Sequence, residues 1–142
     1  MKTIIENRKV RFDYFIIETY LAGICLIGSE IKSVRSGKVS TNSSYCYFKD
    51  GELFVKNLYI EENKNSFNHD PNRDKKLLLK KSELQKLDKK LIKGHTILLT
   101  KVIINDKGLV KCEIVLGVGK KNWDKRSTLK ERDLERGQKL ID

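Results

Sequence analysis

The chain has 142 residues, with 30 Lys and Arg against 19 Asp and Glu, for a formal net charge of +11. That length suits one domain large enough to bury a core without a disulfide or metal staple. A composition of 39% hydrophobic and 35% charged residues excludes collagen-like, mucin-like and wholly disordered chains, and no apolar run approaches the roughly 18 residues of a membrane span.

The opening residues Met1–Val10 are polar and charged and do not read as a secretory signal. A basic cytosolic protein is therefore expected, with a polyanion as its partner. The charge is uneven. Residues 1–71 hold 10 basic and 9 acidic side chains, whereas residues 72–142 hold 20 and 10. Two runs, Asn72–Lys93 and Lys120–Arg132, carry most of the excess.

In chain order, Met1–Lys9 reads as an exposed polar arm. Val10–Tyr20 is rich in aromatic and β-branched residues and predicts a strand. Leu21-Ala22-Gly23 reads as a break, and Ile24–Ile27 as a second short strand. Ser29–Ser36 lies between Gly28 and Gly37, with Ser29 as a candidate N-cap and Ile31 and Val34 on one face. This predicts a short helix with Lys32 and Arg35 on its opposite side. Ser43–Ile60 is the clearest hairpin, because Asp50-Gly51 supplies the two turn positions that need positive φ.

Glu61–Asn72 reads as a long polar loop. Ser82 and Gln85 fit a capping box, and Leu84, Leu87 and Leu91 follow helical spacing. Lys86, Lys89, Lys90 and Lys93 take the outer face of that helix, and Gly94 ends it. His95–Ile104 and Leu109–Val118 predict strands joined by Asn105-Asp106-Lys107-Gly108. Beyond Gly119 the large apolar residues are too few to dock a helix, which predicts a tail that orders on a partner. The expected division is a domain over residues 1–119 and a basic C-terminal tail over 120–142. About six strands with two or three short helices predict a mainly β fold, a small closed antiparallel barrel of the oligonucleotide-binding (OB-fold-like) kind.

The chemistry is sparse. Cys25, Cys46 and Cys112 lack paired spacing and read as small buried hydrophobes, not as disulfide or zinc ligands. His69 beside Asp70 is a minor candidate for hydrolysis of RNA. His95 reads as structural. No phosphate loop, dinucleotide fingerprint or metal-hydrolase motif occurs, so neither an enzyme nor a cofactor is expected. The Lys-rich runs offer phosphate contacts. Trp123, among the tail cations, either stacks on a base or covers one end of the barrel. No helix presents a base-reading Arg/Asn/Gln set, which favours structured or single-stranded RNA over DNA. A generic basic RNA-binding domain is the competing reading.

Four stretches, in order, resemble the SsrA-binding protein (small protein B) family. They are Asn7-Arg8-Lys9 with Phe12–Ile16; Gly28-Ser29-Glu30-Ile31-Lys32-Ser33-Val34-Arg35-Ser36-Gly37; Asp70-Pro71-Asn72-Arg73-Asp74-Lys75-Lys76-Leu77-Leu78-Leu79; and Gly117–Lys121 with Asp124-Lys125-Arg126 and Leu129–Arg132. The resemblance implies a non-catalytic adaptor that grips the tRNA-like domain of transfer-messenger RNA (tmRNA) and enters stalled ribosomes, with elongation factor Tu in the delivered complex. A cytoplasmic monomer is expected.

Under this resemblance Asn7, Glu30 and Leu78 fall at the family's RNA-binding positions. Arg8, Lys9, Lys32, Arg35, Arg73, Lys75 and Lys76 surround them. Lys120, Lys121, Trp123, Asp124, Lys125, Arg126, Lys130, Glu131 and Arg132 form the tail that contacts the decoding centre and message path. Leu21 departs from the family, which often carries Glu there. The chain also lacks extra Lys/Arg at its end.

Overall fold

The computed structural model describes residues 2–62, 69–92 and 94–120. Its elements run β1 (Lys2–Glu6), α1 (Lys9–Asp13), β2 (Tyr14–Ile24), α2 (Gly28–Arg35), β3 (Val39–Ser40), β4 (Tyr45–Lys49), β5 (Glu52–Lys56), β6 (Tyr59–Ile60), β7 (Lys75–Leu78), α3 (Lys81–Lys90), β8 (His95–Ile104) and β9 (Val110–Gly119).

Six antiparallel strands close into a ring in the order β8-β4-β5-β7-β2-β9, with β9 pairing back onto β8. This is the closed, mainly β architecture expected. β1 adds outside the ring on β8, and β3 and β6 form a separate two-stranded sheet. Closure removes the exposed strand edges that an open sheet of this size would carry.

The interior follows strand alternation. Ala22, Leu53, Val55, Leu77, Ile97, Leu99, Ile114 and Leu116 are fully buried in one cluster, joined by Leu87 of α3 and Val34 of α2. Leu98 and Val115 have the opposite parity, so they face the outside of the ring. There they meet Val10 of α1 in a second small core. Each short helix thus has one buried apolar contact to make, and each makes it against the ring.

The β4–β5 hairpin forms as predicted. Asp50 and Gly51 have φ of 52° and 78°, and Lys49 pairs with Glu52 across them. The β8–β9 loop also forms as predicted, with the Asn105 side-chain oxygen accepting from the Lys107 and Leu109 amides at 3.0 and 2.9 Å.

Four expectations are corrected. Residues 2–6 are not a free arm, because Lys2–Glu6 pairs with Lys101–Ile104 of β8. Residues 9–13 are helical, so the following strand begins at Tyr14 and not at Val10. Leu21-Ala22-Gly23 does not break that strand, which runs on to Ile24. At Gly23 an added Cβ would lie 3.2 Å from Leu78 Cβ, so the glycine permits close approach of β7 and not a turn. Finally, α3 starts at Lys81, and Glu83, not Gln85, returns its carboxylate to the Lys80 amide at 3.1 Å. The helix closes at Lys90 with Leu91 as its cap, and Gly94 follows with φ of 86°. Lys93 lies outside the described residues.

Cys46 and Cys112 are buried as expected, but Cys25 is exposed. Burial pushes the Cys112 thiol up to about 12 and raises Cys46 further. In the unfolded chain these thiols ionise near pH 9, so above that the unfolded state releases protons that the folded state retains. Stability therefore falls as pH rises, by about 1.4 kcal/mol per pH unit per thiol. Denaturation midpoints measured from pH 8 to 11 are expected to decline, and to decline less steeply in a Cys46→Ala/Cys112→Ala variant.

Candidate nucleic-acid interface

The α2 sequence places a carboxylate in its first turn, where it meets the amides of the helix start. Glu30 is fully buried. Its Oε1 accepts from the Ile27 amide at 3.0 Å and from Arg73 Nη2 at 2.5 Å. Its Oε2 accepts from Arg73 Nε at 3.3 Å and lies 3.9 Å from Lys75 Nζ. The Arg73 fork therefore holds the carboxylate from two sides. Arg73 Nη2 also donates to the Cys25 carbonyl at 3.2 Å. One side chain thus ties α2, the end of β2 and the entry to β7 together.

Lys75 is fully buried as well. Its ammonium donates to the carbonyls of Leu58 at 2.8 Å and Arg73 at 2.7 Å and faces the Glu30 carboxylate. An ammonium has three donors, and three acceptors surround this one. Burial holds its pKa below the usual lysine range, against the opposing pull of Glu30. The expected phosphate contact from Lys75 is corrected on this ground: the side chain is fully buried, points inward beside Leu77 and spends two of its three donors on carbonyls, with the Glu30 carboxylate 3.9 Å away. Glu30 likewise holds Arg73 and Lys75, and its buried oxygens are not presented to a base or to Lys32 and Arg35.

The other positions divide into three places. Lys76 and Leu78 alternate with Lys75 and Leu77 and face outward. Lys76 pairs with Glu52 at 2.9 Å, and Leu78 is half exposed. Arg35 is exposed, donates to the Gly108 carbonyl at 3.3 Å, and shares a groove with Leu78. Lys32 is exposed on the same helix. Asn7 lies elsewhere. Its amide donates to Thr100 and its side chain to the Thr41 carbonyl at 3.3 Å, with Arg8 and Lys9 exposed beside it.

His69 is held at both ring nitrogens. It is buried, and Nε2 must donate to the Ile60 carbonyl 2.9 Å away, which leaves Nδ1 to accept from the Ser29 hydroxyl at 2.8 Å. Asp70 accepts from the Asn72 amide. His69 thus fastens the loop onto the start of α2, while Asp70 shapes the loop itself. Among the described residues no group of three or more His, Cys, Asp or Glu is placed to hold a metal, and no helix is long and apolar enough to cross a membrane.

Lys120 is the last described residue. Its amide donates to the Asp13 carbonyl at 2.8 Å, its ammonium to the Arg11 carbonyl at 3.3 Å, and it sits 5.0 Å from the centroid of the Phe15 ring. Lys121, Trp123, Asp124, Lys125, Arg126, Lys130, Glu131 and Arg132 lie outside the described residues. Sequence reasoning missed Leu109 and Lys111, which line the groove with Arg35 and Leu78 but belong to none of the quoted motifs. For Lys75 a signal existed: its parity with buried Leu77 in a strand.

The SmpB protein family description matches residues 4–141. The chain belongs to the SmpB family. An SsrA-binding protein of Flavobacterium johnsoniae is 52% identical over 93% of this chain and 89% of its own length. One from Ehrlichia ruminantium is 48% identical over 99% and 97%. One from Symbiobacterium thermophilum is 45% identical over 96% and 88%. Among solved structures, a chain from "tmRNA-SmpB: a journey to the center of the bacterial ribosome" superposes with a TM-score of 0.70 at 46% identity, covering 86% of this chain and 87% of that one.

In this SmpB family member the Glu30–Lys75 contact is expected to act as a structural unit. Glu30→Gln takes the carboxylate from the buried Lys75 ammonium and should cost about 3–5 kcal/mol, whereas Lys75→Met leaves Glu30 its Arg73 fork and should cost less. The double variant is expected to cost less than the sum of the two. Urea denaturation of all four proteins measures that coupling.

Proposed function

We propose that this chain is an RNA-binding adaptor of trans-translation. In this reading it grips the tRNA-like domain of tmRNA and delivers it to stalled ribosomes, where the nascent peptide is tagged and the ribosome released. The observation that carries the reading is 45–52% identity, over nearly the whole chain, to proteins named for binding SsrA RNA. A likeness to a chain solved with tmRNA at the bacterial ribosome supports it.

The geometry supplies a means. The cluster of buried Glu30 and Lys75 with half-buried Arg73 fixes α2 against β7, and that joint sets the positions of Lys32, Arg35, Lys76 and Leu78 on the surface. The exposed cations neutralise phosphates, and Asn7, Arg8 and Lys9 extend the contact from the β1–α1 corner. The cluster itself positions this surface without touching RNA.

The protein divides its labour. Residues 1–119 bind RNA, and residues 120–142 lie in the message path near the decoding centre, with Trp123 stacking on a base there. The protein is not an enzyme and uses no cofactor; the engagement of both His69 nitrogens supports this. It acts in the cytoplasm as a monomer, with elongation factor Tu in the delivered complex.

Two measurements test the proposal. The chain should bind the tRNA-like domain more tightly than an unrelated hairpin of equal length, and log K should fall with log salt by about 0.7–0.9 per neutralised phosphate. Equal affinity for both RNAs at moderate salt, as a generic basic domain would give, defeats the specific reading. Removing residues 120–142 should leave RNA binding largely intact while peptide tagging stops. Loss of RNA binding on truncation would overturn the division of labour.

A further inference from the structure

The groove that holds Leu78 and Arg35 contains more than those two residues explain. Leu78 and Leu109 are 50% and 54% exposed, which is unusual for leucines that share one concavity. Leu26 and Ile31 add apolar lining, Arg35 and Lys111 complete it, and none of the residues lining it is acidic. Its volume is about 260 Å³.

The register explains why these residues meet. Leu78 pairs with Gly23, and Gly23 pairs with Lys111, so the three form one row across β7, β2 and β9. Leu78 faces outward, and paired residues share a face, so Lys111 faces outward beside it. The bare Gly23 between them lets the two side chains close in over it: a Cβ there would lie 3.2 Å from Leu78 Cβ and 3.6 Å from Lys111 Nζ. Arg35 draws in the β8–β9 loop through the Gly108 carbonyl, and Leu109 follows directly. Among the described residues neither Arg35 nor Lys111 has an acidic partner.

We propose that this groove holds a single unstacked nucleobase of the bound RNA, with the base against Leu78 and Leu109 and its adjoining phosphate on Lys111 and Arg35. The inference rests on the RNA-binding reading above and adds Leu109 and Lys111 to the binding residues. The chemistry selects this occupant. A splayed-out base offers a flat apolar face beside a fixed negative charge, which matches two exposed leucines next to two cations with no acidic partner. A paired duplex segment offers phosphates but no apolar surface for the leucines. An apolar peptide leaves both cations without partners.

The test uses the full chain and the transcribed tRNA-like domain of tmRNA across a salt series. Leu109→Ser should weaken binding about tenfold at every salt concentration, with the wild-type slope retained. Lys111→Gln should weaken it chiefly at low salt and make the slope shallower by about 0.7–0.9. Abasic replacement, scanned through the unpaired nucleotides, should find one position that costs about as much as Leu109→Ser and adds little to it. If the wild type fails to bind this RNA, the RNA-binding reading falls and the inference with it. If the wild type binds and Leu109→Ser binds equally well, or every abasic loss adds fully to it, the base pocket is wrong and the broader reading stands. Capture of a peptide ligand sensitive to Leu109→Ser, with RNA binding unaffected, would assign the groove to protein instead.

Discussion

A buried carboxylate organises this molecule. Glu30 has no solvent exposure, and everything that compensates its charge comes from a different part of the chain: the Ile27 amide before α2, the Arg73 fork before β7, and the Lys75 ammonium within β7. A carboxylate removed from water tolerates only an arrangement that satisfies it. The relative placement of α2 and β7 is therefore fixed more tightly than apolar packing alone would fix it. Apolar contacts tolerate small slides, whereas a two-sided guanidinium grip does not.

That constraint propagates outward. Arg73 also holds the Cys25 carbonyl, so the end of β2 cannot shift without disturbing the same grip. His69 fastens the preceding loop to Ser29 at the start of the same helix. Around this joint the exposed side chains inherit definite positions: Arg35 one turn along α2, Lys76 and Leu78 on the outer face of β7. A surface built this way suits recognition of a folded RNA, because cations that are held in place bind phosphates without a further ordering cost.

Much of this was legible in the amino-acid sequence, and the gaps have physical causes. The Asp50-Gly51 hairpin and the β8–β9 hairpin were legible because their turns are decided locally. α2 was legible from its bounding glycines, although the carboxylate rather than Ser29 answers the helix start. β1 was not legible, since residues 2–6 are extended only because β8 offers them an edge. β7 was hidden by Lys75 and Lys76: two adjacent lysines look like solvated surface, and only the partners arriving from Leu58, Arg73 and Glu30 make one of them an interior residue. The motif positions Glu30 and Lys75 lie in the interior, where they brace α2 against β7, while Leu109 and Lys111, outside every motif, line the groove beside Leu78. A pattern of residue types records which positions matter but not whether they touch a partner or hold those that do.

The end of β9 carries a consequence of another kind. Lys120 is tied by its amide to Asp13 and by its ammonium to Arg11, so the chain leaves the ring from a fixed anchor beside α1. Through α1 the same anchor reaches Val10, which packs on Leu98 and Val115 outside the ring. A pull on the end of β9 is therefore shared with α1 and β8, and is not borne by the pairing of the last strand alone.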